Sequence, residues 1–272
     1  MAEDWTTGIN TSVPNPARIY DYLLGGKDNY PADREVAEQV IAIAPVTREV
    51  VRDNRAFLRR AVSFLTREAG IRQFIDLGSG LPTHGNVHEI AQAIAPDARV
   101  VYVDNDAMVV THSRALLAGE NTIAVQADLR EPDAILGHPE VRKLIDFDRP
   151  VALLLLAILH FVPDEQDPWG VVARFRDALP PGSYLAVSHG TRDIPERHDM
   201  TPEQMAEMGT RVERLYQLPT ASVVNRPRAQ VERFFDGFDL VAPGLVEIQR
   251  WRPDDESSLL PGGFYGGVGR RP

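Results

Sequence analysis

Short apolar runs alternate with helix-like patterns between residues 71 and 190. The runs at 74–77, 100–104, 123–127, 151–158 and 184–188 are rich in Val, Ile and Leu. Runs this short and continuous suit strands buried on both faces of a parallel sheet. Residues 87–95, 107–118, 139–145 and 168–179, lying between them, carry apolar positions at helical spacing. Repeated strand–helix units predict an α/β fold with a doubly wound sheet. An all-helical core matches poorly, because the runs are too short and the Gly, Pro and Asp breaks between them too regular.

The flanks read differently. Residues 1–70 predict helices. Asn15-Pro16 has the order of an N-cap followed by proline at the first helical position, and Gly25-Gly26 stops that helix. A second helix is expected over 33–44 and a third over 47–69, where Val50, Val51, Leu58, Ala61, Val62 and Leu65 form one apolar face. Beyond the core, 191–222 reads as a polar helical insertion and 227–235 as a helix. Strands at 239–251 and 264–269 complete a seven-stranded sheet. The expected organisation is an N-terminal helical extension or lid (1–70) and a core (71–272) that carries the insertion at 191–222.

Composition narrows the function classes. The chain has 272 residues and a net charge of −10, from 29 basic and 39 acidic residues. Such a balance opposes nucleic acid and anionic membrane surfaces as partners. There is no cysteine, which excludes disulfides, thiol nucleophiles and thiolate metal sites, and fits a cytoplasmic protein. "MAEDWTTGIN" lacks the basic-then-apolar order of a signal peptide. The longest apolar run, 151–159, is too short to span a bilayer. His84 and His88 are four apart, but no further ligand stands near them, so a cap or packing role is expected rather than a metal site.

The chemistry concentrates in "FIDLGSGLPTHGN", residues 74–86. Open α/β sheets bind ligands at the loop leaving the C-terminal end of the first strand. Glycine there lets backbone approach a ligand closely, and Asn86 with Glu89 predicts a capping box for the next helix. The pattern is Gly78-x-Gly80-x-x-Thr83, without the third glycine of a dinucleotide loop and without a P-loop lysine. It therefore suits a ligand without phosphate. Asp104 closes "VVYVD", 24 residues after Gly80, where an acidic side chain accepts hydrogen bonds from ribose hydroxyls. Asp128 follows the third strand, placed for an adenine amine. Asp76 precedes the glycines, placed for an amino-acid ammonium. Each carboxylate alone reads best as a cap or a solvated loop residue. Three at successive strand ends beside a glycine loop describe a site for ribose, adenine and amino acid, which together are S-adenosylmethionine.

Four stretches, "ARIYDYLLGGKDNYPADR", "IDLGSGLPTHGNVHEIAQ", "LLLLAILHFVPD" and "FFDGFDLVAPGLVEIQRWRP", carry a resemblance to class I S-adenosylmethionine-dependent methyltransferases. More narrowly, the chain resembles an actinobacterial family of S-adenosyl methyltransferase-like proteins. The resemblance implies a Rossmann-like seven-stranded sheet with an antiparallel last strand. It also implies S-adenosyl-L-methionine as cofactor, held by Asp76, Gly78, Ser79, Gly80, Asp104, Asn105, Asp128 and Leu129, with Tyr22 reaching over from the N-terminal segment. Pro82-Thr83 stands where many members have a third glycine.

The methyl acceptor is expected to be a small molecule. Methyl transfer from a sulfonium is an in-line displacement, so the protein must align the reactants and exclude water. A base is needed only if the acceptor loses a proton. His160, after the fourth strand, is the first candidate for a base or an acceptor-orienting group, or else a support for its own loop; His189 has a weaker claim. Arg226 reads either as a clamp for an acceptor carboxylate or as a partner for an acidic neighbour. The polar, aromatic segment 17–34 reads as a lid over the donor, or as a capped helix whose tyrosines pack on the core. A protein that senses S-adenosylmethionine or S-adenosylhomocysteine without chemistry is the alternative from another class.

Overall fold

The structure, a computed structural model, describes residues 10–83, 85–116, 119–193, 201–218, 221–254 and 263–272. Three helices come first: α1 (Pro16–Leu24), α2 (Pro31–Ile43) and α3 (Thr47–Arg67). Alternating units follow as β1 (Gln73–Leu77), α4 (Val87–Ile94), β2 (Arg99–Asp104), α5 (Ala107–Leu116), β3 (Thr122–Gln126), α6 (Pro132–Leu136), α7 (Pro139–Leu144), β4 (Ala152–Leu156), α8 (Pro168–Ala178) and β5 (Tyr184–Gly190). The chain continues through α9 (Pro202–Leu215), α10 (Arg228–Glu232), β6 (Asp239–Leu240), β7 (Val246–Glu247) and β8 (Phe264–Arg270).

The sheet order is β3-β2-β1-β4-β5-β8-β6. β1 to β5 are parallel and β8 runs antiparallel against β5, from Tyr184 opposite Arg270 to Gly190 opposite Phe264. Alternation along the strands explains the two-sided burial. Phe74, Val100, Tyr102 and Leu154 face one apolar cluster, and Ile75, Val101, Val103 and Leu153 face the other. A single strand was expected over 239–251. Two short ones form instead, β6 and β7, both on the outer edge of β8. Pro243 offers no backbone N–H to a ladder and Gly244 takes a φ of +91°, so the chain turns between them. Eight described strands thus fill seven sheet positions.

Helix α3 buries Phe57, Leu58, Ala61, Val62 and Leu65 in the same cluster as Phe74 and Leu154. It is a covering helix of the sheet, so the packed core begins before the boundary expected at residue 70. α1 and α2 form a smaller cluster of their own around Ile19, Leu23 and Ala37, closed against Val51 of α3. α9, from the insertion after β5, packs against α2.

The polar side chains of 15–34 mostly bond one another. Asn15 caps α1 by accepting from the Ala17 N–H at 2.8 Å. Arg18 and Asp33 form a buried ion pair at 2.8 Å, and Asp33 also accepts from the Asn15 and Tyr30 backbone. Asp21 accepts from the Asp28 N–H and the Asn29 amide. A Cβ on Gly26 would lie 2.0 Å from the Asp21 carboxylate. Buried polar groups need partners, and this segment supplies them internally. It is a preformed cap, which explains a density of polar residues that a simple turn would not require.

Candidate active site

One cavity of about 350 Å³ opens over the C-terminal ends of the parallel strands. Its first half is made by the loops after β1, β2 and β3. Gly78 takes a φ of +70° and donates to the Val103 carbonyl at 2.8 Å. A Cβ there would sit 2.2 Å from Ile158, in the turn after β4, so only glycine fits. Gly80, at φ +65°, donates its N–H to Asp104 at 2.9 Å, and a Cβ on it would meet nothing within 4 Å. Asp104 also accepts from the Asp106 N–H at 3.0 Å. Each of its oxygens keeps a lone pair for a further donor.

Burial pushes the Asp104 carboxyl up to about 6, against the hydrogen bonds from Asp106 and Gly80. Asp76 is pushed up to about 7, again by burial, with Arg55 opposing and Asp104 adding repulsion. Asp128 behaves differently. Its carboxylate is gripped by Arg130, with Nε on Oδ1 at 2.8 Å and Nη2 on Oδ2, which holds it below the usual range. Arg130 also reaches Gln166 at 3.2 Å and ties this loop to the turn after β4. Asn105 and Leu129 line the same half.

The N-terminal cap closes this half from above. Asn15 Nδ2 donates to Asp106 at 2.7 Å, and Ala17 and Tyr30 pack on Leu81 of the glycine loop and Met108 of α5. Tyr20 lines the cavity, whereas Tyr22 points elsewhere: its hydroxyl donates to Glu38 at 2.5 Å and its ring lies under Arg48. Tyr22 is therefore not among the residues brought together at the donor loops.

Three buried polar atoms on the cavity wall have no partner among the described residues: Ser79 Oγ, Thr83 Oγ1 and His160 Nδ1. Buried orphans are rare in folded chains and call for a ligand. Two carboxylates with spare lone pairs, an unpartnered serine and a glycine whose side is open fit the ribose and amino-acid parts of S-adenosylmethionine.

The second half lies beyond β4. His160 is buried in a turn at Leu159–Phe161, its ring 4.4 Å from Phe161 and 5.5 Å from Phe264. Burial, and then the charge of Arg226, lower it to about 3. At neutral pH it is an uncharged hydrogen-bonding group and a weak proton acceptor. Arg226 is fully buried, and its five N–H bonds are all used, on Asp164 twice, on the Leu159 and Val162 carbonyls, and on His189 Nε2 at 3.0 Å. Arginine only donates, so His189 is neutral with its proton on Nδ1, facing the Gly190 carbonyl at 2.6 Å. Arg226 and His189 thus brace the turn that holds His160; Arg226 pairs with an acidic neighbour, the arginine buried and Asp164 exposed. His88 pairs with the Tyr102 hydroxyl at 2.9 Å in a packing role, and His84 lies outside the described residues. Among the described residues no three His, Asp or Glu side chains gather as a metal ion would need.

A further polar chain escaped the sequence reading. Asn54, on the buried face of α3, donates to the Tyr20 hydroxyl at 3.0 Å and accepts from Ser188 Oγ at 2.6 Å. Ser188 Oγ accepts from the Ala157 N–H at 2.9 Å. Ala157 has a φ of +54°, an unfavourable conformation for alanine. The chain links cap, covering helix and sheet, and fixes the backbone that aims Ile158 and His160. The available signal was a lone asparagine inside the apolar stripe of α3.

A family model of S-adenosyl methyltransferases matches residues 2–272. The chain belongs to this family. A crystal structure of a DUF574 family protein from Streptomyces avermitilis is 45% identical, with a TM-score of 0.89 over 96% of this chain and 99% of that one. A candidate methyltransferase from Thermobifida fusca is 44% identical, with a TM-score of 0.85 over 96% of each chain. An O-methyltransferase family 2 protein from Planctomyces limnophilus, solved with apigenin, is 11% identical with a TM-score of 0.50, over 93% of this chain and 65% of that one; this likeness concerns the fold alone. No protein of curated function matches. The family is S-adenosylmethionine-dependent, so the chain is a methyltransferase by membership. Among the described residues no helix is long and apolar enough to cross a membrane.

Proposed function

We propose that this methyltransferase moves the methyl group of S-adenosylmethionine to a small molecule held in the second half of the same cavity. The observation that carries this reading is the convergence of the Gly78–Gly80 loop, Asp104 and Asp128 at three adjacent strand ends, beside room that the donor loops do not enclose. The cofactor supplies a methyl group on a sulfonium, ready for in-line displacement. Asp104 accepts from the ribose hydroxyls, Asp128 from the adenine amine, and Asp76 with Ser79 meets the amino-acid end. The cap formed by α1 and α2 excludes water. His160 orients the acceptor by a hydrogen bond.

A sensor of the cofactor would need no adjoining second chamber, which favours the enzyme. Calorimetry with S-adenosylmethionine, S-adenosylhomocysteine and NAD tests the donor part. Binding of NAD alone would overturn it. Incubation with methyl-labelled S-adenosylmethionine and a metabolite extract tests transfer, and a labelled product that depends on the protein is the expected result.

A further inference from the structure

Charge is divided unevenly along the cavity wall. Asp76 and Asp104 stand at the C-terminal ends of β1 and β2, Asp106, Asp128 and Arg130 follow β2 and β3, and Asp21 and Arg55 belong to α1 and α3. The described wall contributed by α2, by the loops after β4 and β5, by α9 and by the start of β8 carries no charged side chain. Its surface is made by residues such as Val40, Val46, Phe161, Val212 and Phe264. Arg226, buried behind this wall, has no N–H left for a ligand. A charged ligand moved from water to this wall would lose its hydration without gaining a counter-charge. An uncharged one would bury apolar surface. The wall also holds one buried polar atom in need of a partner, His160 Nδ1, on a residue 7% exposed.

Helix α9 adds a second observation. Gly209, Val212 and Tyr216 fall at i, i+3 and i+7, and all three line the cavity. Glycine inside a helix is unfavourable relative to alanine. Among the described residues no neighbour demands it, since a Cβ on Gly209 would meet nothing within 4 Å and its φ is not in the left-handed region. The missing side chain leaves space in the cavity itself.

We infer that the second half of the cavity takes an uncharged, largely apolar acceptor with one hydrogen-bonding group for His160, and that Gly209 sets how large it can be. This rests on the methyltransferase reading above for the word acceptor, but the binding claim stands on the wall alone. The probes are 2-naphthol and 2-naphthoate, two ring systems of one shape that differ in charge. Each is titrated into the full chain with and without S-adenosylhomocysteine, together with Gly209→Ala and Gly209→Phe.

The expected result is 2-naphthol binding at least about tenfold tighter than 2-naphthoate. Gly209→Phe should weaken 2-naphthol by about tenfold or more while S-adenosylhomocysteine affinity changes by less than about threefold. Gly209→Ala should raise Tm by roughly 2–4 °C, and the retained S-adenosylhomocysteine affinity of Gly209→Phe shows that its loss of probe binding is not loss of fold. Naphthoate binding as tightly as naphthol, naphthol failing to bind, or a folded Gly209→Phe that binds naphthol unchanged would each overturn the inference. Failure of S-adenosylhomocysteine to bind while 2-naphthol binds as expected would instead remove the methyltransferase reading and leave the apolar site.

Discussion

The two halves of the cavity are held in shape by different means. On the β1–β3 side, short acidic side chains and glycine backbone sit at strand ends, and neighbouring loops fix them with hydrogen bonds such as Gly80 to Asp104 and Arg130 to Asp128. Beyond β4, the wall is made by the loops after β4 and β5 and the start of β8, with Val40 of α2 and the inner face of α9 adding to it; the two helices contact each other. Strand ends can move little without breaking the sheet, so they suit a ligand of fixed structure. Helices that lie on top can be reshaped by exchanging one residue. The β1–β3 half is thereby polar and built on the sheet, and the other half is largely apolar and uncharged in its described wall.

The sharpest way to break this contrast is at the point where the halves touch. Gly78→Ala forces a Cβ against Ile158 and into an unfavourable φ. It should cost on the order of 3 kcal/mol in stability, read as a fall in the denaturation midpoint. Adding Ile158→Ala should recover the part due to the clash. No loss in the single variant would mean that the two halves are not wedged together here.

Asp104→Ala removes the expected ribose acceptor. Hydrogen bonds to a charged group are worth about 1.5–3 kcal/mol, so S-adenosylhomocysteine affinity should fall roughly ten- to a hundredfold by calorimetry, with 2-naphthol binding retained. Loss of both ligands in a folded variant would merge the two halves into one site.

Proton linkage separates the halves again. Asp76 and Asp104 stand near 7 and 6 because burial opposes ionisation. A cationic donor prefers both ionised, so its affinity should fall about tenfold between pH 8 and pH 6. 2-Naphthol should show no such trend across that range. The ligand-free protein should lose stability as pH rises from about 4 to 7, because the folded carboxyls bind protons more tightly than the unfolded ones. Asp76→Asn should flatten that slope, and an unaltered slope would place the titration elsewhere. The smallest expected effect is that of Tyr22→Phe, which should leave donor affinity within about twofold, since it alters an exposed hydrogen bond away from the cavity.

That the glycine loop, Asp104 and Asp128 would stand together at strand ends was legible in the sequence because these parts are local. A strand, a glycine loop and an acid at the next strand end lie close along the chain. The start of α4, with Glu89 accepting from the Asn86 N–H at 2.8 Å, was readable for the same reason. Tyr22 was misread through helix phase: residues two apart on α1 differ by about 200° around the axis, so Tyr20 facing the cavity turns Tyr22 away. Within the Tyr20–Asn54–Ser188 chain, Asn54 and Ser188 bond directly across 134 positions. Only the folded sheet brings such residues together. The split of the last expected strand turned on Pro243 and Gly244, whose weight against a strongly apolar run needed the paired edge of β8 to judge.

The contact between α2 and α9 has an evolutionary side. Neither helix is threaded through the sheet, and each joins it as an addition, one at the amino terminus and one between β5 and β8. Mutations on their inner faces can accumulate without disturbing strand register or the carboxylates at the strand ends. A lineage built this way can change the occupant of one half of the cavity while keeping the loops of the other intact. Diversification within the family should therefore concentrate on the inward positions of these two helices, at sites such as Val40, Gly209 and Val212.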